Sequence, residues 1–262
     1  MKTLEEKKRF FAEHSDSIKN AAAAGGADAV IAVIRGFTED SQRRVLYVFA
    51  RRALVLGDGN DIDFDVYIRV CDAGIEDILK QAESAPDEET RRARLHTLHV
   101  ISYNLAADLA DCWPDDDAPR TEAHHHRGIR AAEDCLRWTR ERDGGAHPLS
   151  ISYWALGIRR FSLGQTTATI EAWEKSLEYA NKEAEAKSQG TNVDANGAFG
   201  VVLGAGWLGL ARWRDGDDGG RMQYEEAVAA FKAQLDDPAK KEDAGFGIGQ
   251  LEKIKTKSLL SG

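Results

Sequence analysis

Apolar positions recur three and four residues apart along almost the whole chain, which is the period of an amphipathic α-helix. The clearest stretch is 150–181. There Tyr153, Leu156 and Gly157 form one stripe with the stem of Arg160, and Ile170, Trp173, Leu177 and Ala180 form another. Between them, Leu163-Gly164-Gln165 offers a glycine that can take the left-handed cap conformation. Thr166 or Thr167 can cap the helix that follows through its hydroxyl. The small residue at 157 lets a neighbouring backbone come close. Neither stripe can be buried by its own helix, so each needs the other and a further pair.

The pattern extends in both directions. Phe10, Phe11, His14 and Ile18 predict a helix over 3–24, closed by Gly25-Gly26, and Val30, Ile31, Val33 and Ile34 predict a short one over 28–36. Leu46, Phe49, Ala50, Ala53 and Leu54 lie on one side of a helix starting at Asp40 and ending in Leu56-Gly57-Asp58. Asp61 or Asp63 then caps a helix to about 85, with Pro86 as its stop. Helices follow over 87–111 and 121–142, separated by the turn Trp113-Pro114-Asp115-Asp116-Asp117. Beyond the central pair, 198–214 and 224–235 are predicted helical around an acidic glycine-rich turn at 215–220, and 239–260 forms a last helix with Ile248, Leu251, Ile254 and Leu259.

Residues 150–181 resemble a tetratricopeptide (TPR) repeat, a 34-residue helix-turn-helix unit. Leu156-Gly157 matches the family's Leu-Gly in helix A, and Leu163-Gly164-Gln165 its turn. Thr169-Ile170, Trp173 and Ser176-Leu177 fall at its helix B positions. The chain departs from the pattern at Thr169 (usually Ala), at Arg160 (usually aromatic) and at Asn181 (usually Pro). Leu105, Leu156 and Leu208 align as the helix A leucine, at spacings of 51 and 52. The resemblance implies an all-α, right-handed superhelix of antiparallel helix pairs in a single elongated domain over 1–262. The pairs are 40–85, 87–142, 149–188 and 197–236, with N-terminal cap helices in 1–38 and a C-terminal cap helix in 239–260. Terminal caps are expected because an array must seal its exposed core ends.

Composition narrows the function classes. The chain is 42% hydrophobic and 30% charged, as in ordinary soluble helical proteins, with a net charge of −9. An acidic balance argues against nucleic acid as a partner. The first eleven residues carry charge throughout and lack the apolar core of a signal peptide, and no uninterrupted apolar run approaches about 18 residues. Neither a leader nor a membrane span is therefore expected. Three cysteines, Cys71, Cys112 and Cys135, read as reduced thiols of a cytoplasmic protein.

Three groups of residues could carry chemistry. Gly204-x-Gly206-x-x-Gly209 follows an apolar run and matches a dinucleotide-binding fingerprint, the basis of an alternative reading as a nucleotide or small-molecule sensor or enzyme. That fingerprint needs a strand before it and a second strand after it, and neither is predicted; the other reading is a helix whose glycines admit close neighbours. His96 and His99, with His124, His125 and His126, could approach a metal, or form a solvated polar edge. Asp61, Asp63, Asp65 and Asp72 approximate a calcium loop but place Val66 where glycine is required, whereas acidic residues at a helix N-terminus are favoured by its dipole. No nucleophile elbow or paired-carboxylate site stands out, so no catalytic residue, cofactor or metal is assigned.

What remains is binding. The resemblance implies that A helices line a concave groove, at Val100, Tyr103, Ala107 and Asp111, at Ile151, Trp154, Ile158 and Phe161, and at Leu203, Leu210, Trp213 and Arg214. Tyr103, Trp154, Ile158, Phe161, Leu210, Trp213 and Arg214 are the candidate partner-binding residues, since aromatic and Arg side chains usually anchor interfaces. Ile158 stands where the family's carboxylate clamp has Asn, so the expected ligand is an extended or helical segment of another protein. The competing reading is that the helix at 239–260 folds into this groove. Self-association into a homodimer is a further alternative, which predicts a solution mass above 28.8 kDa.

Overall fold

The computed structural model describes residues 3–56 and 62–259 and is all-helical there, with no strand beyond one isolated bridge between Gly190 and Gly197. The helices are α1 (Leu4–Arg35), α2 (Asp40–Leu54), α3 (Phe64–Glu83), α4 (Glu88–Asp108), α5 (Glu122–Glu141), α6 (Ala146–Ser162), α7 (Thr166–Ala186), α8 (Phe199–Arg214), α9 (Asp218–Gln234) and α10 (Lys241–Leu259). The turn at Gly57-Asp58 and the alternative cap Asp61 lie outside the described residues. Where one elongated domain is read from the sequence, contacts divide the chain into two compact units: Met1–Leu109 with Arg137–Asp143, and Ala110–Leu136 with Gly144–Gly262.

In the first unit, Thr3 opens α1 with a capping box: its hydroxyl accepts from the Glu6 N–H while the Glu6 carboxylate accepts from the Thr3 N–H. The helical path breaks at Gly25 and Gly26, where Gly26 has φ 61°. This is the glycine stop seen in the sequence, followed directly by a second helical segment. Asp63 and Asp87 cap α3 and α4 by accepting from the N–H groups of Val66 and Thr90. Asp63 is thus the N-cap that starts α3. Phe11 packs on Phe49, and Tyr47 lies against Gly74, whose missing side chain it needs: a Cβ there would sit 2.8 Å from the ring.

α1 is also the one helix among the described residues long and apolar enough, by length and composition, to cross a membrane; 22% of its apolar window is buried. No continuous apolar run announces it: the alanines with Val30, Ile31, Val33 and Ile34 raise the mean hydropathy of 20–34 despite the charge of Asp28. In the fold its Ile18, Ala27, Val30 and Ile34 face the unit's interior.

The second unit stacks antiparallel helices in chain order. On α5 and α6, Cys135 meets Ser152 and Gly128 meets Arg159. α6 and α7 are stitched by Ser150 and Ser176, each hydroxyl donating to the other's carbonyl at 2.9 Å. Gly200 and Gly204 of α8 face Ala180 and Leu177 of α7, and α9 returns along α8 with Tyr224 beside Gly209. α10 then packs on both α8 and α9. Pro148 sits in the first turn of α6 rather than before it. It is tolerated there because first-turn N–H groups have no intrahelical partner to lose. α9 begins six residues earlier than the apolar pattern indicates. Asp217 caps it through the Gly219 N–H, and Gly219-Gly220 become helix rather than turn.

Candidate interaction surface

Gly157 brings α6 and α7 to close range. A Cβ on it would lie 2.2 Å from Trp173 Nε1, and that indole N–H donates to the Trp154 carbonyl at 3.3 Å. Trp173 is fully buried and meets Phe161 at 5.3 Å and Trp207 at 5.1 Å between ring centroids. Trp154 extends the aromatic core, 6.5 Å from Trp207 and 5.8 Å from Trp113. Thr169, the departure from the TPR alanine, is also buried, and its hydroxyl donates to the Gln165 carbonyl one turn back. A hydroxyl is accommodated in a small-residue position because it finds a partner locally.

The seven candidate residues separate by burial. Trp154, Ile158, Phe161 and Leu210 are enclosed in the second unit. Trp213 is half-buried, with Tyr224 at 5.7 Å and the cations of Arg221 and Lys255 within 5.6 Å of its ring. Arg214 is exposed; it lies 4.7 Å over the Phe161 ring and donates to the Phe161 carbonyl at 2.8 Å. A cation at that point also complements the negative C-terminal end of α6. Tyr103 belongs to the first unit, half-buried and stacked on His99 at 6.4 Å.

The stripe of α8 nearest Trp213 is covered by α10. Leu251 lies where a Cβ on Gly206 would come within 2.7 Å, and Lys255 reaches Trp213. Phe246 of α10 is 44% exposed and stacks on Trp113 at 6.0 Å and on Phe199 at 6.5 Å. The helix α10 therefore covers the face formed by α8, α9 and the 113–117 loop.

The glycine fingerprint lies wholly inside α8. Gly204 faces Leu177, Gly206 faces Leu251 and Ala227, and Gly209 faces the backbone of Tyr224 and Gly220. Three glycines admit three neighbours, and the strand that would precede a phosphate-binding turn is replaced by helix. The histidines also take separate local roles. His99 Nδ1 pairs with Thr139 Oγ1 at 2.8 Å, and burial holds His96 below its ordinary range. His124 caps α5 reciprocally with Thr121, and His126 approaches Glu122 at 3.4 Å. Among the described residues no group of three His, Cys, Asp or Glu is arranged to hold a metal.

Two buried polar clusters are not announced by the sequence. In the first unit, Asp108 accepts from Arg51 and from the Tyr67 hydroxyl, each at 2.8 Å, and Tyr67 is pushed well above its ordinary pKa by burial. In the second, Arg159 is completely enclosed, and burial lowers its pKa to about 10 against the opposing pull of Asp111. His125 lies 3.3 Å from it, held at about 4 by burial and then by the Arg159 charge. Burial pushes the Cys112 thiol up to about 12, far from nucleophilic. Nothing in the sequence sets Arg159 apart from the neighbouring Arg160. Gly128 opposite it, where a Cβ would fall 2.5 Å from its side chain, makes room.

No protein-family model, curated protein or solved structure matches this chain.

Proposed function

We propose that the chain is a non-catalytic interaction scaffold of divergent TPR-like helix pairs that binds a segment of another protein on the α8 side of its second unit. The observation supporting this best is a repeat held in register. Leu156-Gly157 and Leu208-Gly209 stand 52 positions apart, and so do the turn glycines Gly164 and Gly216. Each helical glycine receives the partner helix, at Trp173 in one pair and at Tyr224 in the next. Repeats of this kind bury one pair against another and leave side chains of the first helix for a partner. Trp213 and Arg214 keep accessible surface there, and Trp and Arg are common energetic anchors.

The test is affinity capture with the full-length chain from its native lysate, beside Trp213→Ala, with circular dichroism confirming that both baits fold. A saturable partner held by wild type and lost from Trp213→Ala supports the reading. Equal capture by both baits would contradict it.

A further inference from the structure

We infer that α10 is a detachable occupant of a helix-binding face, and that the partner of this face is a basic amphipathic helix that takes its place. The inference rests on the scaffold reading and names its ligand.

The helix is weak as an isolated element. Gly245, Gly247 and Gly249 lie in its first half, and glycine is the poorest helix former after proline. Gly247 and Gly249 allow close packing, since a Cβ would fall 2.7 Å from Phe231 and 2.8 Å from Pro114. Gly245 has no neighbour within 4 Å, so it loosens the helix with no packing in return. Helicity here depends on being seated, as expected of an element that can open separately from the core.

Few apolar side chains hold the seat. Ala244, Leu251 and Ile254 are buried, whereas Phe246 is half open to solvent. Gln250 is buried as well, and its Oε1 has no hydrogen-bond partner. An enclosed acceptor without a donor makes the seated state costlier than the contact needs to be. The connection from α9 runs through exposed residues 236–239, including Pro238, which gives α10 an accessible hinge.

Phe246 adds ring stacking on Trp113 and Phe199, and two lysine contacts define the partner. Lys253 pairs with Asp117 and reaches the Pro114 carbonyl at 3.4 Å. Lys257 donates to the Asp111 carbonyl at 3.0 Å and lies 3.8 Å from its carboxylate. Acceptors on the 111–117 loop therefore receive cations spaced i, i+4 on the seated helix. A competing helix needs two basic residues at that spacing and an apolar pair to be buried as Leu251 and Ile254 are, the first of them facing Gly206. The net charge of −9 favours such a ligand over an acidic one.

The probe is a fluorescent synthetic peptide of residues 239–259, offered to full-length wild type and to full-length Leu251→Asp, which unseats α10. The peptide should bind Leu251→Asp saturably and about tenfold or more tighter than wild type, where the seat is filled. A peptide carrying Lys253→Glu and Lys257→Glu should not bind. Hydrogen exchange on wild type supplies a reading that does not depend on the variant folding. Amides of α10 should exchange about tenfold or more faster than those of α8 and α9. Exchange of α10 in step with α8, or a folded Leu251→Asp chain that ignores the peptide, would overturn the inference. A wild-type dimer built by exchanged α10 helices would also overturn it, in favour of a second copy as occupant. Peptide binding without a captured cellular partner would fault the scaffold reading alone; a partner captured while α10 stays locked would fault only this inference.

Discussion

Gly157 and Gly200 are both helix glycines, yet their surroundings demand opposite outcomes. A Cβ at 157 would collide with the fully buried Trp173, whereas at 200 it would sit 3.7 Å from Ala180 Cβ, ordinary contact. Gly157→Ala should destabilise the chain by about 1–3 kcal/mol through overpacking, and Gly200→Ala should be neutral or gain up to about 1 kcal/mol in helix propensity. Denaturant unfolding of both variants checks this; equal effects would contradict the packing described. His125 gives a residue-scale prediction in pH. Its folded pKa lies below the unfolded value near 6.5, so between about 6.5 and about 4 the unfolded state binds more protons. Stability from this group is intact above that window and falls as pH drops through it. His125→Gln should flatten the stability profile there, and an unchanged slope in unfolding midpoints would count against it. Leu156-Gly157 was legible because a small residue in an apolar stripe signals close approach. The His125–Arg159 cluster was not, because charged residues at helical spacing ordinarily face water, and here the gap at Gly128 leaves room for the arginine inside.

At the scale of elements, helix ends were readable where glycine marks them. After α6, the Gly164 N–H bonds to the Phe161 carbonyl and the Gln165 N–H to that of Arg160. After α8, Gly216 bonds to Trp213 and Asp217 to Arg212 in the same way. Both glycines have positive φ, 71° and 89°. The end of α7 uses the same two bonds, from Ser188 to Glu185 and from Gln189 to Ala184, but places a serine at φ 54°. That end escapes a reading based on glycine. Ser188 is exposed, so Ser188→Gly should relieve the left-handed cost and stabilise the chain by about 1 kcal/mol, read as a raised thermal midpoint. Gly164→Ala should cost a similar amount. The start of α9 was missed for the converse reason. Gly219-Gly220 look like a turn, but Gly220 is required where a Cβ would lie 2.5 Å from the Trp213 N–H nitrogen. Thr166 and Thr167 look like caps, yet Gln165 holds the cap position of α7 without a side-chain bond.

At the scale of the molecule, no change of composition marks the two units. α5 contributes residues to both, with the division at Leu136 and Arg137, so a reading by linkers yields one domain. The covering of α8 by α10 could be framed from the sequence only as an alternative, because apolar residues at helical spacing serve core and groove alike. The central claim is that the second unit takes a partner on the face that α10 now fills. The most direct measurement is quantitative affinity capture with three full-length baits: wild type, Trp213→Ala, and Lys253→Glu/Lys257→Glu, which loosens α10 from the 111–117 loop. The account predicts one partner depleted from Trp213→Ala and enriched on the loosened bait relative to wild type. The same proteins captured in equal amounts by all three would contradict it.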